Sequence, residues 1–182
     1  KQDDKEDNKM YNKILSLNWW SRVISLVVLL LVFDFQAEGR AAESGEFSGT
    51  WIANGTREVF PFGAERNVYT FNLTGHVNLQ TTIGQKKDYW STCVGLSDSF
   101  TGTVARCVWQ DLDGPEVYIT LQSDQMQEDN IVTGNIIGGS MHLKGIQGGL
   151  SFKWSSVTFQ KDGKKATVTG QAADLVGSYQ IP

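Results

Sequence analysis

The chain has 182 residues and a formal charge of −4, with 40% apolar and 20% charged side chains, a composition of globular rather than disordered or fibrous protein. Residues 1–22 hold five Lys/Arg and four Asp/Glu; the remainder holds eleven and sixteen. So acidic a body has no electrostatic footprint for a phosphate backbone, and nucleic acid is not an expected partner.

Residues 1–13 are polar and mixed in charge. Residues 14–35 follow as a hydrophobic stretch whose strongest run, Val23–Phe33, covers only about 16 Å as a helix. Counted from Ile14 to Phe33 it reaches about 30 Å, the thickness of a hydrocarbon core. Trp19 and Trp20 suit a membrane interface, and Arg22 can snorkel toward headgroups. Two readings compete: a cleaved signal peptide with small residues at 37–39 or 39–41, and an uncleaved signal-anchor. The anchor reading makes 14–35 a single transmembrane helix in the lipid bilayer. Lys9, Lys13 and Arg22 precede it and Asp34 and Glu38 follow, which puts the N-terminus in the cytoplasm and the C-terminal domain on the periplasmic side or an equivalent exterior. Residues 36–45 then read as a tether.

From Glu46 to the end the apolar period is two. Strands are expected at 47–62, 67–83, 89–98, 104–110, 116–122, 131–138, 149–159 and 166–180. Turn signals separate them at 63–65, 84–88, 112–115, 127–130 and 160–165. About eight antiparallel strands on short hairpins predict an all-β, up-and-down β-barrel over 46–182, with a sandwich as the alternative; closure leaves no long edge. Cys93 and Cys107 flank Phe100 symmetrically, so a hairpin register with Cys93 opposite Cys107 sets Thr92 against Val108 and Val94 against Arg106. Opposed Cβ atoms lie near disulfide range, and outside the cytoplasm such a pair oxidises. Two buried free thiols are the alternative.

The stretch from Gly134 to Trp154 carries Gly138, Gly139, Ser140, Gly145 and Gly148. It resembles a signature of the allene oxide cyclase and dirigent barrels, in which Gly-Gly-Thr/Ser-Gly closes a strand and Gly-x-x-Gly opens the next. Met141 stands where that pattern has a fourth Gly, and Leu143 where it has an aromatic. The resemblance implies a calycin-type barrel with these glycines at a corner. The opening Phe47-Ser-Gly-Thr-Trp51 is similar to the start of lipocalin-type and avidin-type barrels. The run Cys93–Trp109 resembles bacterial exported proteins of unassigned function. No cyclase catalytic motif can be placed on the chain.

The side chains offer no catalytic set and call for no cofactor. Two histidines, His76 and His142, cannot form a three-His metal site; the first reads as barrel wall and the second as a turn residue. Asp111 and Asp113 read as turn chemistry beside Gly114. Trp51, Trp90, Trp109 and Trp154 are expected to fill the barrel or its ends, with Arg106 and Trp109 as ligand-facing candidates. The leading expectation is a membrane-anchored, non-catalytic accessory subunit partnered with integral membrane subunits. The alternatives are a calycin-like binder of a small apolar ligand and an allene-oxide-cyclase-like isomerase.

Overall fold

A computed structural model describes residues 42–124 and 130–182. The polar segment 1–13, the helix expected over 14–35 with Trp19, Trp20 and Arg22, and most of the tether lie outside the described residues. So does the 127–130 turn, apart from Asn130. Among the described residues no helix is long and apolar enough to cross a membrane.

Eight strands are present: β1 Glu43–Pro61, β2 Asn67–Thr81, β3 Lys86–Asp98, β4 Gly102–Asp111, β5 Glu116–Ser123, β6 Asn130–Gly139, β7 Gln147–Asp162 and β8 Lys165–Ile181. Each pairs antiparallel with the next, and β8 pairs back onto β1, so the sheet closes into an up-and-down barrel. The strand alternation explains the inside and outside. Trp51 and Ala53 on β1, Leu73 and Val77 on β2, and Cys107 and Trp109 on β4 are all buried, while their even-numbered neighbours Ile52, His76 and Arg106 are exposed.

Most strand boundaries differ by a residue or two from the reading of the sequence, and three differ by more: the starts of β1 and β3, and the end of β7, which runs to Asp162. β1 begins at Glu43, so the end of the stretch read as a tether is already strand, paired with Ile181. β3 begins at Lys86 rather than Tyr89, because the hairpin closes tightly: Gly84 N–H donates to Thr81 O at 2.8 Å and Thr81 N–H to Gln85 O at 2.9 Å. The charged residues Lys86 and Lys87 look like loop but pair with Gln80 and Leu79.

Cys93 and Cys107 form a disulfide across β3 and β4 with Cα atoms 4.1 Å apart, in the expected register. Both sulfurs face the interior. Closing a loop of this length contributes about 3 kcal/mol on the chain-entropy account.

Large aromatics fit inside because glycines on neighbouring strands leave room for them. A Cβ on Gly95 would sit 2.3 Å from the Phe71 ring, one on Gly170 2.1 Å from Trp154, and one on Gly177 2.3 Å from Phe47. Small beside large is how a narrow barrel reaches interior packing density.

The corner between β6 and β7 holds the glycine signature. Gly138 and Gly139 end β6, residues 141–143 make one turn of 3-10 helix, and β7 opens at Gln147. Gly145 has φ of +84°, which glycine adopts without steric cost. A Cβ on Gly148 would lie 2.0 Å from the carbonyl oxygen of Ser178, so no larger residue fits where β7 crosses β8. Ser140 ties the corner to β5: its Oγ accepts from the Glu116 N–H at 2.8 Å, and its own N–H donates to Glu116 O at 2.9 Å.

Candidate functional site

The hairpins after β1, β3 and β7 lie at one end of the barrel, with the end of β5 and the start of β6. Those after β2, β4 and β6 lie at the other, with the start of β1 and the end of β8. Each end holds an interior cavity, and no residue lines both.

The first cavity, about 240 Å³, is partly open. The strand register arranges its wall in rows. Nearest the rim, Tyr69, Ser97, Thr103 and Ser123 follow one another across β2 to β5, and the Ser97 and Thr103 hydroxyls hydrogen-bond each other. One step deeper run Arg57, Phe71, Gly95, Ala105 and Leu121. The described lining is completed by Leu73, Cys93, Val132, Phe152, Ser156 and Val168, with Trp51 and Trp154 as further aromatic walls. Arg57 is the one charged side chain of this lining among the described residues. Its guanidinium carbon lies 5.0 Å from the centre of the Tyr69 ring, and its buried Nε has no hydrogen-bond partner among the described residues.

The barrel is filled between the two cavities. The Trp51 indole N–H donates to Ser91 Oγ at 2.7 Å, and that buried hydroxyl donates to Gly75 O at 3.2 Å. Trp51 also lies 4.9 Å from Trp154 and edge-on to Phe152 at 5.7 Å between ring centres.

The second cavity, about 190 Å³, has apolar walls from Phe47, Leu79 and Trp109 but carries Glu43, Lys87, Asp111 and His142 as well. Tyr89 there has its pKa pushed up to about 12, chiefly by burial and then by the negative charges of Asp111 and Tyr179. Tyr179 is also raised, first by burial and then by donating to Glu43 at 3.1 Å. Trp109 is 2% exposed, and its indole N–H has no hydrogen-bond partner among the described residues.

Outside the first end, the Arg66 guanidinium grips the Asp98 carboxylate. Nε donates to its two oxygens at 2.9 and 3.0 Å, and Nη2 adds a further bond. The guanidinium lies over the Phe62 ring at 4.6 Å and the Phe100 ring at 5.6 Å, so the β1–β2 and β3–β4 hairpins are stapled together. Asp98 is held well below the usual carboxylate range, first by Arg66 and then by the Phe100 N–H.

Of the residues singled out in the sequence, Trp109 lines the second cavity and is buried, as a ligand-facing candidate must be. Arg106 lines neither cavity. It is exposed on the outer wall and donates to the carbonyl of Ala105 at 2.8 Å, because the parity that turns Cys107 and Trp109 inward turns Arg106 out. Trp90 is also outside, edge-on to His76 at 4.7 Å, and does not fill the barrel. Asp111 and Asp113 form the β4–β5 turn, with Gly114 N–H donating to Asp111 O at 2.9 Å. Arg57 was missed. Counting by twos from Trp51 through Ala53 and Gly55 places it inside, and that parity is the signal that finds it.

In chemical terms the first cavity can hold an apolar body and offer one cation and several hydroxyls near its mouth. Among the described residues its lining has no carboxylate or imidazole to move a proton. Among the described residues no group of His, Cys, Asp and Glu is arranged to hold a metal ion. No protein-family model matches the chain, and no curated protein matches it; the likeness to allene oxide cyclase and dirigent barrels has only its own residues behind it.

Proposed function

We propose that the barrel binds a small apolar molecule in the first cavity. The observation that carries this reading is a partly open, largely apolar space of about 240 Å³ above a packed floor. An apolar cavity of about 150 Å³ takes up benzene, and drug-sized sites begin near about 300 Å³, so the occupant has one or two rings or a short chain. Acid–base isomerisation would need proton-transfer groups against the ligand. The lining provides hydroxyls and a guanidinium, so we favour binding over an allene-oxide-cyclase-like reaction.

Trp51 and Trp154 line the cavity and report on it. Titrating the full chain with naphthalene is expected to quench tryptophan fluorescence saturably, and Ala105→Phe, which fills the cavity from its wall, is expected to abolish the effect. Non-saturable quenching, or saturable quenching unchanged by that substitution, refutes the reading.

A second reading, the membrane-anchored accessory subunit, draws support from the outer wall. Leu96 and Val104 are exposed and directly opposed on β3 and β4, with Val94 beside them, an apolar strip of the kind an apolar partner covers. The disulfide supports an oxidising, exported setting. Pull-down of the tagged chain in mild detergent is expected to bring down integral membrane subunits, and Leu96→Lys with Val104→Lys to lose them. A chain that elutes alone, or a capture that survives both lysines, counts against this reading.

A further inference from the structure

We infer that the ligand of the first cavity is a monocarboxylate, with its apolar body in the barrel and its carboxylate on Arg57. The inference rests on the binding reading above and adds the chemical class of ligand. Three observations converge on it. Among the described residues Arg57 is the one charged group in the lining, and none of them is an acidic side chain that neutralises it. Its Nε is out of water and makes no hydrogen bond with any described residue. A buried donor without an acceptor is costly, more so on a charged group. The polar groups are also clustered: the hydroxyl row of Tyr69, Ser97, Thr103 and Ser123 lies one register step from Arg57, while the rest of the described lining, Ser156 apart, is aliphatic, aromatic and disulfide.

A guanidinium presents parallel N–H donors that match the two oxygens of a carboxylate. Tyr69, under the guanidinium at 5.0 Å, holds that group by cation–π attraction without consuming a donor. A neutral apolar ligand would cover Arg57 and leave its donor unmet. A dication or a sugar would waste the apolar wall. An anionic head on a compact apolar tail satisfies both parts of the lining at once.

The test uses 4-phenylbutyrate and its neutral analogue 4-phenylbutyramide, titrated into the full chain by calorimetry and by tryptophan fluorescence. The carboxylate is expected to bind about tenfold to a hundredfold more tightly than the amide, as charge-assisted hydrogen bonds imply. Arg57→Met is expected to bring that ratio close to one, and Arg57→Lys to leave it in between. Equal affinity for acid and amide in the unsubstituted chain overturns the inference. So does an acid preference that survives Arg57→Met. If Arg57→Met does not fold, the acid-to-amide ratio of the unsubstituted chain decides alone. Naphthalene binding without any carboxylate preference leaves the cavity reading standing and removes only this one; failure of all three probes removes both.

Discussion

The two ends of the barrel are built from the same eight strands and have been given opposite electrostatics. At the Arg57 end the described interior holds one unpaired cation among hydroxyls and apolar walls, and a buried carboxylate of that end, Asp98, is clamped by Arg66 outside the cavity. At the Tyr89 end the interior holds acids, a lysine and two tyrosines in contact with one another's charges. Lys87 Nζ and Asp111 Oδ2 are 3.8 Å apart, and Glu43 takes the Tyr179 hydroxyl. The charged groups of the Tyr89 end are therefore paired with one another, and its unmet group is the neutral Trp109 indole N–H, whereas the Arg57 end has a charge that its described walls do not answer. An unmet buried charge is the costlier of the two and the stronger sign of a missing partner.

The strongest way to break this contrast is to remove the divider between the ends. Trp51→Ala deletes the indole that packs on Trp154 and Phe152 and bonds Ser91. A buried Trp truncated to Ala costs about 3–5 kcal/mol in transfer and cavity terms. Urea denaturation is expected to show that loss as a lower midpoint with an unchanged slope. Trp51→Phe keeps most of the ring volume, gives up the bond to Ser91, and is expected to cost about 1–2 kcal/mol. A Trp51→Ala loss under 1 kcal/mol would mean that the floor is not a packed layer and the two ends are not separate compartments.

The next largest effect separates the ends by pH. Asp98 has a depressed folded pKa, so its contribution is present above the ordinary carboxylate range near pH 4 and is lost as pH falls below it. Tyr89 has a raised one. The unfolded chain releases that proton from about pH 10 while the folded chain holds it to about 12, so its contribution is complete below pH 10 and is lost over that window. Asp98→Asn is expected to flatten the acid limb of the stability profile and leave the alkaline limb alone. Tyr89→Phe is expected to do the reverse, by up to about 2 kcal/mol at pH 12. Melting curves across pH check both, and a single variant that moves both limbs would show the ends to be coupled.

What the sequence disclosed, and what it hid, follows from how local each signal is. Strand positions were legible because alternation repeats within each strand, and the Cys93–Cys107 register because the two residues are symmetric about their hairpin. Parity is legible as well: once Cys107 and Trp109 face inward, Arg106 faces out, and the same count along β1 from Trp51 turns Arg57 in. Other features carry no local signal. The Arg66–Asp98 staple joins two hairpins 32 residues apart. The second cavity gathers side chains from seven strands and the β6–β7 corner. The bulge at Asp174 shifts the inward parity of β8 partway along, so that Ala172 and Leu175 are both buried, and a period-two reading passes through it unaware.

The smallest effect concerns two residues that share an unusual backbone at the Tyr89 end and midway along β8. Met141 has φ of +53° and Asp174 φ of +55°, in the left-handed region that costs a non-glycine residue about 1–2 kcal/mol. Met141 occupies the corner position where the resembling barrels have glycine, and its side chain is 69% exposed, so little burial is given up on removing it. Met141→Gly is expected to stabilise the fold by about 0.5–1 kcal/mol, the relief of strain less the extra chain entropy of glycine. Asp174 differs on two counts: a short polar side chain tolerates this conformation better, and its carboxylate pairs with Lys153 at 2.9 Å. Asp174→Gly is accordingly expected to change stability little or to lower it slightly. The two substitutions compared by thermal melting separate backbone strain from side-chain compensation. If both raise the midpoint equally, the Lys153 pair contributes nothing and strain alone governs; if neither does, the corner at Met141 holds its conformation without the cost that left-handed geometry ordinarily imposes.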